Sequence, residues 1–291
     1  MPRSPRLTNL TIRVRGLDFH VRTSPEVPGS TPLLCVNGGL LFDHASMWPT
    51  MAPLARQRQV ILYDQRGRGR TQAPPGVRAA RIEHDGGDVA ALREALGVER
   101  WDILGHSWGG GISMLGASLD PAGVRRVVLV DSVGPDGSWL PGLHSAALER
   151  LSDPTRSQQQ EHAELASLDP LALREPDPAV HARYSRAFSP AWFANPAIAH
   201  RFTPKLVESP TGAAIASRLR REGYDWAARL RALQPATLVI HGERDLIPLA
   251  VAESLARLIP DARLEVISDA GHMPFWEQPQ HFFPIVERFL A

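Results

Sequence analysis

Short apolar runs recur along the chain between loop-forming residues. Leu33-Leu34-Cys35-Val36 and Val127-Val128-Leu129-Val130 are continuous, which marks strands buried on both faces. Gln59 to Tyr63 is the next buried strand, Trp101 to Leu104 is a further apolar run, and Thr237 to Ile240 and Leu264 to Ile267 read as strands. Thr8 to Val14 alternates, Arg15-Gly16 turns, and Leu17 to Arg22 returns, so a hairpin opens the chain. Helical spacing appears at Ile82, Val89, Leu92 and Leu96 before a stop at Gly97, although Gly86-Gly87 weakens the start. Trp48 to Ala55, Gly111 to Leu119, Leu249 to Leu258 and His281 to Leu290 complete the expected core helices. Strands alternating with helices predict an α/β fold: a mostly parallel eight-stranded sheet covered on both faces.

The pattern changes after Gly134. From there to Leu233 no buried-strand run occurs. Helical stretches such as His144 to Leu151 and Ala213 to Arg221 are broken by Asp153-Pro154, Asp169-Pro170 and Asp177-Pro178. The expectation is a core domain of residues 1–133 and 234–291, carrying a helical cap inserted at 134–233.

Composition narrows the function classes. The 291 residues are 43% hydrophobic and 22% charged, with a net charge of +1, which gives no electrostatic case for nucleic acid or an anionic membrane. No run approaches the roughly 18 apolar residues of a membrane span. The basic start, Met1-Pro-Arg-Ser-Pro-Arg, lacks the apolar stretch of a secretory signal, so a cytoplasmic location is expected. Cys35 is the single cysteine, which excludes an internal disulfide and a cysteine metal cluster. No cofactor and no metal are expected. Oligomeric state leaves no trace in the sequence.

Gly105-His106-Ser107-Trp108-Gly109 carries the chemistry. A serine between a strand and a helix, with glycine two residues to either side, matches a G-x-S-x-G nucleophile elbow. A serine hydroxyl needs a base, and the base needs an orienting acid. In α/β folds these groups sit beyond strand C-terminal ends. Asp245 follows the Thr237–Ile240 strand, and His272 follows the Leu264–Ile267 strand in a loop framed by Gly271 and Pro274. The expected triad is therefore Ser107, Asp245 and His272, with Glu243 as reserve acid and Asp131, at the end of the strand after the elbow, as an alternative. The expected oxyanion donors are the backbone N–H groups of Trp108 and of Gly39, chosen over Leu40.

Other reactive residue types read as structural. His106 is expected to point away from the serine, His241 to be a satisfied core histidine, and Cys35 to be core. In Asp64-Gln65-Arg66-Gly67-Arg68-Gly69-Arg70-Thr71, Asp64 and Arg66 are expected to tie down a turn while Arg68 and Arg70 face solvent. Trp139, Tyr184, Phe188, Trp192 and Phe193 line the substrate pocket or form the core of the cap, with core favoured for each.

These residues together resemble the α/β-hydrolase superfamily along nearly the whole chain outside the cap. The Asn37-Gly38-Gly39 loop, the Asp64-Gln65-Arg66-Gly67-x-Gly69 loop and Ser107-Trp108-Gly109-Gly110 look most like proline iminopeptidases and their relatives. That family usually has His-Gly-Gly-Pro-Gly in the first loop and ends the second in serine; here Asn37, Leu40-Leu41 and Thr71 stand instead. It also holds the substrate's amino group with cap carboxylates. Glu161, Glu164, Glu175, Glu208 and Glu222 lie in the cap, but in no pattern that matches. The resemblance implies a cofactor-free serine hydrolase acting on an amide or ester of a small molecule or short peptide, proline iminopeptidase-like in its nearest form. Carbon–carbon bond hydrolases, lactonases and thioesterases share the scaffold and stand as alternatives. A haloperoxidase-like enzyme and a non-catalytic binding protein are the more distant ones.

Overall fold

The structure is a computed structural model and describes residues 4–152, 156–202 and 206–291. The strands are β1 (Thr8–Val14), β2 (Leu17–Thr23), β3 (Leu33–Val36), β4 (Val60–Tyr63), β5 (Trp101–His106), β6 (Val124–Val130), β7 (Ala236–Gly242) and β8 (Ala262–Ile267). They form one eight-stranded sheet in the order β1-β2-β4-β3-β5-β6-β7-β8. β1 and β2 pair antiparallel, β2 meets β4 antiparallel, and every later pairing is parallel. This is the α/β-hydrolase arrangement that the sequence predicts.

Every residue of β3, β4 and β5 is buried, as continuous runs in a sheet covered on both sides require. Alternate residues feed two cores. Leu34, Val36 and Ile103 join one with Phe19, while Leu33, Cys35 and Leu104 join the other with Phe282. Truncating a fully buried aromatic such as Phe282 to alanine costs about 3–5 kcal/mol. Asp102 interrupts the apolar run of β5 and is answered by Arg58 at 2.9 Å and Arg125 at 2.7 Å. Such a pair is costly to break singly because it leaves a buried charge.

Core helices α1 (Ile82–Ala95) and α2 (Trp108–Leu119) form where periodicity places them, and so do α8 (Leu249–Leu258) and α10 (Pro279–Leu290); the single turn α9 (Pro274–Glu277) is an addition to the helices expected from the sequence. Residues 48–55 differ from expectation. A turn leads into a 3-10 helix at Ala52–Arg56 instead of an α-helix, because Pro49 and Pro53 remove backbone donors that an α-helix needs. The glycine pair in α1 does not break it. Asp85 and Asp88 flank that pair, and Arg68 and Arg66 hold them: Arg68 Nη2 lies 2.7 Å from Asp85 Oδ2, and Arg66 Nε 2.6 Å from Asp88 Oδ2. This corrects the reading of Arg68 as solvent-facing. It is fully buried, whereas Arg70 is exposed.

Between β6 and β7 the described residues form α3 (Leu143–Arg150), α4 (Arg156–Ala166), α5 (Pro178–Phe188), α6 (Pro210–Glu222) and α7 (Ala227–Arg231), joined by 3-10 turns. The Asp-Pro steps prove to be starts rather than breaks. Asp177 Oδ1 accepts from Ala179 N–H at 2.9 Å and Pro178 is the first helical residue; Asp169 does the same for Leu171 at 2.8 Å. Asp153-Pro154 lies outside the described residues, as do Met1 to Arg3. Ala147, Leu151, Leu165, Tyr184 and Phe188 pack together with Leu246 of the core. No helix among the described residues is long and apolar enough to cross a membrane.

Candidate active site

Ser107 sits at the tip of β5 with φ 55° and ψ −123°, directly before α2. That is strained backbone for a serine, and its neighbours hold it there. Its N–H donates to Val130 O at 2.9 Å, and its carbonyl accepts from Gly110 N–H at 2.9 Å. The flanking glycines are required by close approach. A Cβ on Gly105 would lie 2.4 Å from Gly109 O, and one on Gly109 would lie 2.1 Å from Val36 O. The five-residue pattern thus encodes the crossing of β5, α2 and the β3 loop.

Parallel register brings the other strand ends beside the elbow. Val36 pairs with Gly105, His106 with Val130, and Gly242 with Ile267. The Gly38-Gly39 loop therefore abuts Ser107: a Cβ on Gly38 would stand 2.6 Å from Ser107 Cβ. Asn37 shapes this loop, its side-chain amide donating to Gly38 O at 3.2 Å and Phe42 O at 3.1 Å. Gly39 and Leu40 both have positive φ, 74° and 27°, Trp108 is the first residue of α2, and Gly39, Leu40, Ser107 and Trp108 all line one cavity.

His272 and Asp245 meet as expected, with Nδ1 2.9 Å from Oδ2. Asp245 Oδ1 also accepts from Ile247 N–H at 3.2 Å. Burial alone would raise the Asp245 carboxyl, but the attraction of His272 and the hydrogen bond to it outweigh that and hold it below the ordinary range. Ser107 and His272 face one cavity, and among the described residues no hydrogen bond joins them. A loose serine–imidazole contact is common without substrate.

Sequence reasoning missed three neighbours of His272. Trp192, from the segment between β6 and β7, stacks on its ring with centroids 4.0 Å apart, and Trp192 O accepts its backbone N–H at 2.8 Å. Glu277 clamps its loop: Oε1 accepts from Gly271 N–H at 2.9 Å and Met273 N–H at 3.3 Å, while Oε2 accepts from Ala194 N–H at 2.8 Å. The sequence signal was an acid in the helical turn after the histidine. His106 lies beneath, its Nε2 2.8 Å from His272 O, and burial pushes its imidazole down to about 3, so it donates as a neutral ring. His106 is structural, as expected, but what it supports is the His272 loop.

Asp131 is a second buried acid here. Its Oδ1 accepts from Gly242 N–H at 2.7 Å and lies 3.5 Å from His241 Nδ1, which has no hydrogen-bond partner among the described residues, and its carboxyl is hydrogen-bonded to that of Asp245. Burial, and then repulsion from Asp245, push the Asp131 carboxyl well above the ordinary range, so Asp131 holds the proton and Asp245 the charge. His241 Nε2 donates to Ile247 O at 3.1 Å, and burial lowers its imidazole. One of its nitrogens is satisfied and the other is not. Oxygen and nitrogen atoms of Asp131, His241 and Asp245 lie within 4.8 Å of one another, as do those of His20, His44 and Asp64. Asp245 is engaged by His272 in the first group, and Arg22 Nη1 stands 3.4 Å from His44 Nε2 in the second, so neither donor set suits a cation. Cys35 is buried in the core, as expected, with its thiol pushed up to about 12 by burial.

The cavity measures about 600 Å³. Trp139, Tyr184, Phe188 and Trp192 line it; Trp139, Tyr184 and Phe188 are buried in core clusters as well, and Phe193 is fully buried in the core.

The serine thus follows β5, the acid β7 and the histidine β8 of one mostly parallel sheet. The α/β-hydrolase fold family matches residues 31–279. The chain belongs to that family. It is 31% identical over 245 residues to a 2-hydroxymuconate semialdehyde hydrolase of Pseudomonas putida, covering 81% of this chain and 78% of that protein. It is 23% identical to a proline iminopeptidase of Heyndrickxia coagulans, covering 96% and 97% of the two chains. Among solved structures, a thermophilic esterase from Thermogutta terrifontis superposes with a TM-score of 0.66 at 24% identity, covering 98% of each chain. As an α/β hydrolase, the protein is an enzyme of hydrolytic chemistry whose finer activity these relatives divide between.

Proposed function

We propose that the protein is a cofactor-free serine hydrolase that cleaves an ester or amide of a small substrate through an acyl-enzyme. The single observation that carries this reading is the 2.9 Å contact of His272 Nδ1 with Asp245 Oδ2 on the cavity that Ser107 faces. With Nδ1–H held by Asp245, Nε2 is free to take the Ser107 proton as the hydroxyl attacks the carbonyl. The oxyanion forms against the N–H groups of Gly39 and Trp108, preorganised by the loop and the helix start. His272 then protonates the leaving group, and the same histidine activates water to release the acyl group. Residues 134–233 act as the cap over this chemistry, with Trp192 and Ala194 fastened to the His272 loop.

The proline iminopeptidase form is disfavoured by the cavity's charge. Asp136 is its only carboxylate among the described residues, while Arg174 and Arg220 also line it. A free amino group would be held by several acids. Carbon–carbon bond hydrolysis next to a carbonyl is the second reading, favoured by the 31% identity to the semialdehyde hydrolase. A panel of aryl esters, prolyl arylamide and 2-hydroxy-6-oxo-dienoates separates the three. Ester turnover without prolyl-arylamide cleavage supports the first reading. Preferred turnover of the dienoates supports the second. Turnover of prolyl arylamide above both overturns the argument from cavity charge.

A further inference from the structure

Among the described residues, neither cation on the cavity wall, Arg174 or Arg220, has an acid to answer it, and Arg220 is the less exposed of the two. Arg220 lies on α6 and lines the cavity. Among the described residues it makes no ion pair, and its one hydrogen bond is long, from Nη1 to Ala216 O at 3.4 Å. Neighbouring arginines differ. Arg218 Nη1 is 2.9 Å from Glu222, and Arg221 Nη1 reaches Arg174 O at 2.6 Å. A guanidinium withdrawn from bulk water is retained at a cost unless an anion completes it.

The groups around Arg220 cannot do so. Burial pushes Tyr184 up to about 12, so it stays a neutral phenol, and its Oη lies 2.6 Å from His144 Nδ1. Burial and then the Arg220 charge push His181 down to about 4, and its Nε2 donates to Glu175 O at 3.0 Å. The wall where α5 faces α6 therefore presents an uncompensated cation beside a phenol, inside a cavity of about 600 Å³ that Ser107 also faces. Asp136, the cavity's one carboxylate among the described residues, is instead close enough to Tyr224 to act on it and accepts from Ser138 N–H at 2.9 Å.

We propose that Arg220 anchors a carboxylate carried by the substrate, so that the enzyme's natural substrates are anionic carbonyl compounds held by the α5–α6 wall while their scissile carbonyl meets Ser107. This inference rests on the hydrolase reading above and names the substrate class for it. Arginine suits the task because its planar fork pairs with both oxygens of a carboxylate. Arg174, the other cation of the lining, is exposed to solvent, so a carboxylate drawn out of water meets Arg220.

The test uses 4-nitrophenyl hemiesters of dicarboxylic acids from glutarate to suberate, each beside its neutral methyl diester. The readout is the ratio of kcat/KM for hemiester over diester. The wild-type enzyme should favour the hemiester by about tenfold or more at one chain length, the scale of a charge-assisted hydrogen bond. Arg220→Met should cut that ratio about 30-fold, and Arg220→Lys should cut it less, because it keeps the charge but loses the fork. A diester preference at every length, or an unchanged ratio in Arg220→Met, overturns the proposal. Should Arg220→Met fail to fold, the Arg220→Lys ratio and competitive inhibition of the wild type by monomethyl adipate decide, since no inhibition would overturn it. Binding of monomethyl adipate to Ser107→Ala, followed by calorimetry with and without Arg220→Lys, separates the two claims. Weaker binding in the double variant supports the anchor even if no ester is hydrolysed, whereas absence of all turnover counts against the hydrolase reading.

Discussion

Trp192 lies on the face of His272, with ring centroids 4.0 Å apart and planes 25° from parallel. The residue comes from the segment between β6 and β7, while the imidazole comes from the loop after β8. When His272 accepts the serine proton it becomes a cation against an aromatic face, an arrangement worth roughly 0.5–2 kcal/mol. Trp192 also contacts Phe188, at 4.7 Å between centroids, so the imidazole and the wall of the cavity share one aromatic stack.

Trp192→Leu should therefore lower kcat/KM about tenfold while leaving Trp192's backbone hydrogen bond to His272 in place. Steady-state kinetics on an activated aryl ester, beside a thermal melt, check this. An unchanged kcat/KM would mean that the stack serves packing alone.

Asp131 and Asp245 should respond differently to removal of charge. Asp131→Asn replaces a protonated carboxyl with an amide that still accepts from Gly242 N–H, so activity should fall less than about tenfold, whereas Asp245→Asn should lose about 10³–10⁴-fold by upsetting the His272 tautomer. The pH dependence follows from sign. The Asp131 carboxyl is raised in the folded state, so its contribution to stability is fully present below the ordinary carboxylate pKa of about 4 and is lost as pH rises toward its folded value. The amide that replaces it in the variant does not titrate. The melting temperature of Asp131→Asn relative to wild type should then improve from pH 5 to pH 8. A relative decline over that range would place the proton elsewhere.

The elbow leaves no room beside it. Gly38→Ala puts a Cβ 2.6 Å from both His106 O and Ser107 Cβ, and one of these contacts is with backbone. The β3 loop must shift, and the Gly39 N–H with it. We expect a loss of at least about 100-fold in kcat, the scale of removing one oxyanion donor. Kinetics with the melting curve distinguish this from global unfolding. Activity within twofold of wild type would remove Gly39 from the oxyanion hole.

Much of this was legible in the sequence because its signals are local. A strand covered on both faces must be apolar throughout, so β3, β4 and β6 announce themselves. Ser107 and Asp245 stand out because each follows a buried strand, and His272 because it follows the edge strand β8 in a loop framed by Gly271 and Pro274. What stayed hidden depends on partners distant in the chain. Arg68 reads as a surface arginine until Asp85 is seen beside it. Helix α4 is hard to see because Arg156–Ala166 is mostly polar and has no apolar stripe. Arg220 sits in the basic run Arg218-Leu219-Arg220-Arg221, which looks solvated. Only the fold turns Arg220 toward the cavity while its neighbours find partners. Trp192 and Glu277 gain their meaning from one loop, which both of them hold.

The central claim is that Ser107 is a nucleophile activated by His272. Intact-protein mass spectrometry after treatment with a fluorophosphonate, with peptide mapping, tests it most directly. The account predicts one adduct on wild type, located at Ser107, none on Ser107→Ala, and labelling of His272→Ala slowed by at least about 10³-fold. A folded wild-type protein that stays unlabelled, or carries its adduct on another residue, would contradict it.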